Sequence, residues 1–219
     1  MNRPEAAYAE HTAQAQTDAD ELARADFYAL IARLLLRAPD ATLLTALAGA
    51  DSLAAGQAGN PLELAWEKLI LAAGVIDADA VREEFDALFI SIGTPQVNPY
   101  ASLYLAGFMM EKPLAGLRAD LAQLGLSRAA GSGELEDHLG ALCEAMRILI
   151  AGAPGVTPQP LAVQMTFFEK HIATWYLPCL DHIRGAPGAN FYQRVADFIQ
   201  AFFEIEAEAF TMDEACSLK

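Results

Sequence analysis

Apolar residues recur along this chain with the period of a helix. Phe27, Leu30, Ile31, Leu34 and Leu35 fall at i, i+3, i+4, i+7 and i+8 and predict an amphipathic helix, capped by Thr17 or Asp18 and ended by Pro39. Asp77 opens a second helix that carries Val81, Phe85, Leu88, Phe89 and Ile92 on one side and stops around Gly93 and Pro95. A further helix is expected after Pro99, running toward Gly125, with Pro113 kinking or interrupting it. Leu135, Leu139, Leu142, Met146, Leu149 and Ile150 form another stripe, preceded by Glu134, Glu136 and Asp137, whose charges suit a helix N-terminus. Thr157 and Pro158 read as the cap and first position of a helix lined by Phe168, Ile172, Trp175 and Cys179. Phe191, Val195, Phe198, Phe202 and Ile205 mark a last helix, with Asn190 as its cap.

No run alternates strictly between hairpin turns, so the expected fold is all-α, a single globular helical bundle-like domain of about eight or nine helices. The stretch "GLSRAAGSGELEDH", with glycines at 125, 131 and 133, is the place for a hinge between two halves. On that reading residues 1–16 are a flexible N-terminus and 17–212 the helical domain, with halves at about 17–124 and 134–212, a hinge at 125–133 and a tail at 213–219.

Between Asp86 and Glu111 the chain holds no charged residue. A membrane span there is excluded, because Gly93, Pro95, Gln96, Asn98 and Pro99 sit in its middle and a span needs about 20 mainly apolar residues. Lys plus Arg number 14 against 29 Asp plus Glu, a net charge of −15 that disfavours nucleic acid and favours basic partners. Cys143, Cys179 and Cys216 are odd in number and far apart, which fits a reducing compartment better than a disulfide framework or a Cys-rich zinc site. The N-terminus lacks a basic segment followed by an apolar one, so a cytoplasmic location is expected.

Phosphate-loop, GxSxG, HExxH and CxxC signatures are all missing. His138 lies about 60° to one side of the Leu135, Leu139, Leu142 and Met146 stripe at 3.6 residues per turn, while Asp137 lies nearly opposite and is expected to face out. The pair reads either as a dipole-complementing acid beside a partly buried histidine or as an acid/base dyad, for which the sequence names no nucleophile or metal. His171 lies at the flank of the face bearing Phe168 and Trp175, as a hydrogen-bonded edge residue or a site residue. Tyr100 and Tyr104, one turn apart, should project from the same side of their helix, into the core or into an aromatic ligand cleft.

Four stretches in order, "EEFDALFISIG", "NPYASLYLAG", "ELEDHLGALCEAM" and "FFEKHIATWYLPCLDHI...NFYQRVADFIQAFFEIE", resemble the TorD/DmsD/NarJ-type chaperones of molybdoenzyme maturation. The resemblance runs from about residue 22 to residue 208. It implies a non-enzymatic, cytoplasmic, all-α protein that binds the twin-arginine leader of an apo-molybdoenzyme and assists cofactor insertion and export proofreading. The molybdenum cofactor would belong to the client, and guanine nucleotide is at most a weak ligand. Carried over by position, the leader-binding region falls on Glu84, Leu88, Phe89, Tyr100, Ser102, Tyr104, Asp137 and His138, with His171, Trp175 and Pro178 from the later helix. Two positions depart from the family pattern: Ser91 and Ile92 precede Gly93 where many relatives read L-F-x-G-P-G, and Leu135 stands where they carry proline. A leader with a basic front and an apolar helical body calls for an apolar groove with an acidic rim, with Asp137 or Glu84 offered to its arginines. A small hydrolase acting on nucleotide through Asp137 and His138, and a helical scaffold without a leader pocket, stand as alternatives. A monomer and a homodimer are both compatible with the sequence.

Overall fold

A computed structural model of the protein describes residues 3–53, 60–90, 94–128 and 133–217, with side chains over 19–211 of these. Ser91, Ile92 and Gly93, and four of the hinge residues, 129–132, lie outside the described residues. The described part is all helical, and its backbone pairs in β fashion only at two isolated bridges. Ten α-helices follow one another: α1 (Arg3–Leu36), α2 (Ala41–Ala48), α3 (Pro61–Val75), α4 (Ala78–Phe85), α5 (Ala101–Ala106), α6 (Lys112–Gln123), α7 (Leu139–Ala151), α8 (Leu161–Phe168), α9 (Tyr176–Gly185) and α10 (Phe191–Ser217). Two five-residue π turns, Asp86–Ile90 after α4 and Glu169–Ala173 after α8, add to these.

The stripes read from the sequence are the buried faces. Ile31, Leu34 and Leu35 of α1, Leu139, Leu142, Met146 and Leu149 of α7, and Val195, Phe198 and Phe202 of α10 belong to one continuous core. The most extensive pairing is α1 along α7, while α10 packs on α3 and α9, and α2 covers α3. Gly140 permits the close approach of α1 to α7, since a Cβ there would stand 2.8 Å from Leu36 Cγ and 3.2 Å from Leu35 Cβ. Phe27, Trp66, Phe198 and Phe202 interlock with ring centroids 5.3 to 6.5 Å apart, edge-on, tilted or stacked, the spacing that aromatic quadrupoles favour. A partly buried ion pair ties α1 to α10: Arg24 grips Glu206 through Nε at 2.7 Å and Nη2 at 2.8 Å, and Tyr28 donates to the same carboxylate at 3.0 Å.

Several boundaries differ from the sequence reading. The first helix begins at Arg3, so Thr17 and Asp18 lie inside it and neither caps it. Asp77 does cap α4, its carboxylate accepting the Ala80 N–H at 2.8 Å. Pro113 starts α6 within its first turn rather than kinking a longer helix, a position where no N–H is needed. That helix ends on Gly125, whose φ of 73° lets the Leu126 N–H return to Leu121 O at 2.8 Å. Thr157 and Pro158 do not open α8, which starts three residues later at Leu161, after Gln159 N–H is drawn back onto Leu149 O at 2.7 Å. The Asn190 amide bonds Gly188 O, and the first N–H groups of α10 are taken by Glu84, which accepts Phe191 N–H at 3.1 Å and Tyr192 N–H at 2.7 Å.

Candidate functional site

The segment from Glu134 to His138 is where chain elements distant in sequence converge. Helix α7 starts only at Leu139, because His138 is its N-cap: the ring Nδ1 accepts the Gly140 N–H at 3.0 Å. Asp137 therefore precedes the helix, and the wheel that pointed it at solvent does not apply. It is fully buried, with 0 % of its surface exposed. Backbone bonds Ala101 N–H to Asp137 O at 2.9 Å and Leu139 N–H to Pro99 O at 2.8 Å pin this segment to the start of α5. The Asp137 carboxylate then caps α5, Oδ2 accepting the Ser102 N–H at 2.9 Å and the Ser102 hydroxyl at 2.5 Å. Its other oxygen, Oδ1, is buried and has no hydrogen-bond partner among the described residues. Buried carboxylate oxygens are ordinarily satisfied, so this one marks a place where an outside donor fits.

Asp137 belongs to the lining of a cleft of about 440 Å³ walled by Ala101, Leu105, Ala106, Pro113, Leu117 and Leu142, with Lys112, Lys170 and His171 completing it. The second π turn brings Lys170 and His171 there, an arrangement often found at functional sites. Asp120 of α6 clasps that turn, accepting from Lys170 Nζ at 2.6 Å and lying 2.7 Å from His171 Nε2. The Lys170 bond is the main reason the Asp120 pKa is held below its usual value. Burial lowers the His171 pKa despite Asp120, so the ring is mostly neutral at pH 7. Burial also pushes the His138 pKa down to about 4.

The residues expected from the sequence thus separate into groups. Asp137 and His171 face the cleft, and Ser102 stands directly behind Asp137. His138 is buried beside them, edge-on to Tyr100 at a centroid distance of 5.0 Å. Asp137 bonds Ser102 while His138 bonds Gly140, so the two side chains do not form a hydrogen-bonded dyad. Tyr100 and Tyr104 do not share a side: Tyr100 is the N-cap residue of α5 and its hydroxyl bonds Glu134, whereas Tyr104 stacks on Trp175 at 5.4 Å and meets His182 Nδ1 at 2.9 Å. Burial, reinforced by Glu134, raises the Tyr100 pKa. Trp175 is core, its indole N–H donating to His171 O at 2.7 Å, and Pro178 is exposed on α9. Glu84, Leu88 and Phe89 sit elsewhere, Glu84 capping α10, Leu88 buried, and Phe89 packed edge-on to Tyr192 at 5.1 Å.

Sequence reasoning missed Lys112, Lys170, Leu105, Leu117 and Leu142 as cleft residues and Asp120 as the clasp. Lys170 adjoins His171 and was within reach of the motif, but Asp120 lies 51 positions from His171 and only the fold joins them. The acidic rim expected around an apolar groove is not what lines this cleft, where Asp137 is the single carboxylate among the described residues. Among the described residues no group of His, Cys, Asp and Glu is placed to hold a metal ion, and no helix is long and apolar enough to cross a membrane.

A comparison with curated proteins found no match. The family model described as "Nitrate reductase delta subunit" matches residues 56–181, more than half of the 219-residue chain, and includes the whole cleft. The chain belongs to the nitrate reductase delta subunit family, the NarJ/TorD-type chaperones of molybdoenzyme maturation.

Proposed function

We propose that this chaperone binds the twin-arginine leader of its client molybdoenzyme in the cleft between α5, α6, α7 and the second π turn, and holds the apo-enzyme from export while cofactor is inserted. The observation that carries the reading is Asp137: a fully buried carboxylate with one oxygen fixed by Ser102 and the other without a donor among the described residues, at an apolar cleft. A guanidinium supplies the N–H groups that such an oxygen lacks, and charge-assisted bonds of this kind are short and strong. The Leu105, Leu117 and Leu142 walls offer apolar surface to the residues that flank the cation. The overall charge of −15 attracts a basic leader at long range and speeds encounter. Calorimetry with a synthetic leader from a molybdoenzyme of the same genome, at low and at high salt, tests the reading. Saturable binding that weakens with salt supports it, and no binding to any such leader rejects it.

A further inference from the structure

We infer that the cleft is a socket for one cationic side chain, gripped beside it by the Gly107–Glu111 loop, so that a single arginine followed by bulky apolar residues is what it recognises. The inference deepens the leader reading above and rests on it.

The lining charges set the count. Among the described residues Asp137 is the one carboxylate lining the cleft, and the other charged side chains there, Lys112 and Lys170, are cations. Lys170 is partly neutralised by Asp120 at 2.6 Å, but among the described residues Lys112 makes no ion pair. A first cation entering the cleft meets a buried anion with an unpartnered oxygen. A second meets the ammonium of Lys112, with no further carboxylate among the described residues that line the cleft, and like charges brought together in a partly desolvated site repel. The second arginine of a pair therefore turns outward, where water and the field of the acidic chain receive it.

The loop supplies the other half. Leu105 and Ala106 before it and Lys112 and Pro113 after it all line the cleft, so the loop between them is the cleft's edge. Gly107 at φ 81° and Met110 at φ 59° reverse the chain, and a left-handed methionine is an uncommon conformation. Within this turn Phe108 and Met110 each stand 72 % exposed, next to Leu105 at 47 %. No charged residue lies between Asp86 and Glu111, so the loop as far as Met110 offers an apolar occupant no opposing charge. Large exposed apolar side chains at the mouth of an apolar cleft mark a contact surface, and Met adapts its shape to varied partners. The occupant that matches is the apolar stretch next to the bound cation in the same peptide.

The test is calorimetric titration of the full-length protein with four synthetic peptides built on one leader: both arginines kept, either one replaced by glutamine, and both replaced. The proposal expects the better single-arginine peptide to bind within about threefold of the parent, and the peptide without arginine to bind about thirtyfold or more weakly. Phe108→Ser with Met110→Ser should weaken the parent peptide about fivefold or more, yet leave unchanged the affinity of a peptide whose apolar residues are serine. Circular dichroism of the double variant checks that helix content is kept. Asp137→Asn separates the two levels of the argument. If no peptide binds the parent protein, the leader reading itself fails, and if Asp137→Asn does not change binding, the placement of the leader in this cleft is overturned with the socket. If it weakens binding, but both arginines prove necessary or the loop variant binds the parent peptide normally, the one-cation socket is overturned and the leader reading stands.

Discussion

The carboxylate of Glu84 accepts the backbone N–H of Tyr192 at 2.7 Å, so that the end of α4 caps the start of α10 across 108 positions of sequence. An acid at a helix N-terminus satisfies donors that the helix leaves open and complements its dipole. Glu84→Ala is expected to lower unfolding stability by about 1–2 kcal/mol, read by chemical denaturation, while leader binding by the folded protein stays unchanged. A loss of affinity without a loss of stability would return Glu84 to the binding surface.

The Arg24–Glu206 pair makes a different prediction, because Glu206 is 2 % exposed and its charge is tolerable only while partnered. Arg24→Met should cost about 3 kcal/mol. Replacing the whole group, Arg24→Met with Glu206→Leu and Tyr28→Phe, should recover most of that loss, since it leaves neither a buried charge nor a hydroxyl without its acceptor. Urea denaturation of the two variants measures both quantities.

His138 gives a pH dependence whose sign follows from its depressed pKa of about 4. In the unfolded chain the imidazole titrates near its ordinary value of about 6.5. Below that pH the unfolded state takes up a proton that the folded state refuses, so stability present above about pH 6.5 is lost as pH falls toward 4. The loss attributable to this residue is about 3 kcal/mol. His138→Asn keeps an acceptor for the Gly140 N–H and removes the titration, so its stability should fall less than that of the parent protein between pH 7 and pH 4.5 in paired denaturation curves. Parallel curves for the two proteins would contradict the assignment.

The helical stripes were legible because one-sided burial leaves a period in the sequence, as Ile31, Leu34 and Leu35 or Val195, Phe198 and Phe202 show. The stripes do not single out α2, whose "ATLLTALA" is apolar nearly all round, and α3 announces itself only through Asn60 and Pro61 at its start. The family motif singled out Asp137 as a candidate, but its burial was not legible: the sequence period extends one turn before the real helix start, which the His138 side chain fixes at Leu139. The Asp120 clasp on Lys170 and His171 was not legible at all, since nothing in the local sequence of α6 distinguishes a carboxylate that pairs across the fold from one that is solvated.

The central claim is that the buried carboxylate of Asp137 receives a cation of the leader. Titration of the client's twin-arginine leader into the parent protein and into Asp137→Asn, with far-ultraviolet circular dichroism and thermal unfolding measured alongside, tests it most directly. The Asn side chain can still accept from Ser102, so the fold should be retained, and affinity should fall by about thirtyfold or more. Equal affinity of the two folded proteins would contradict the account.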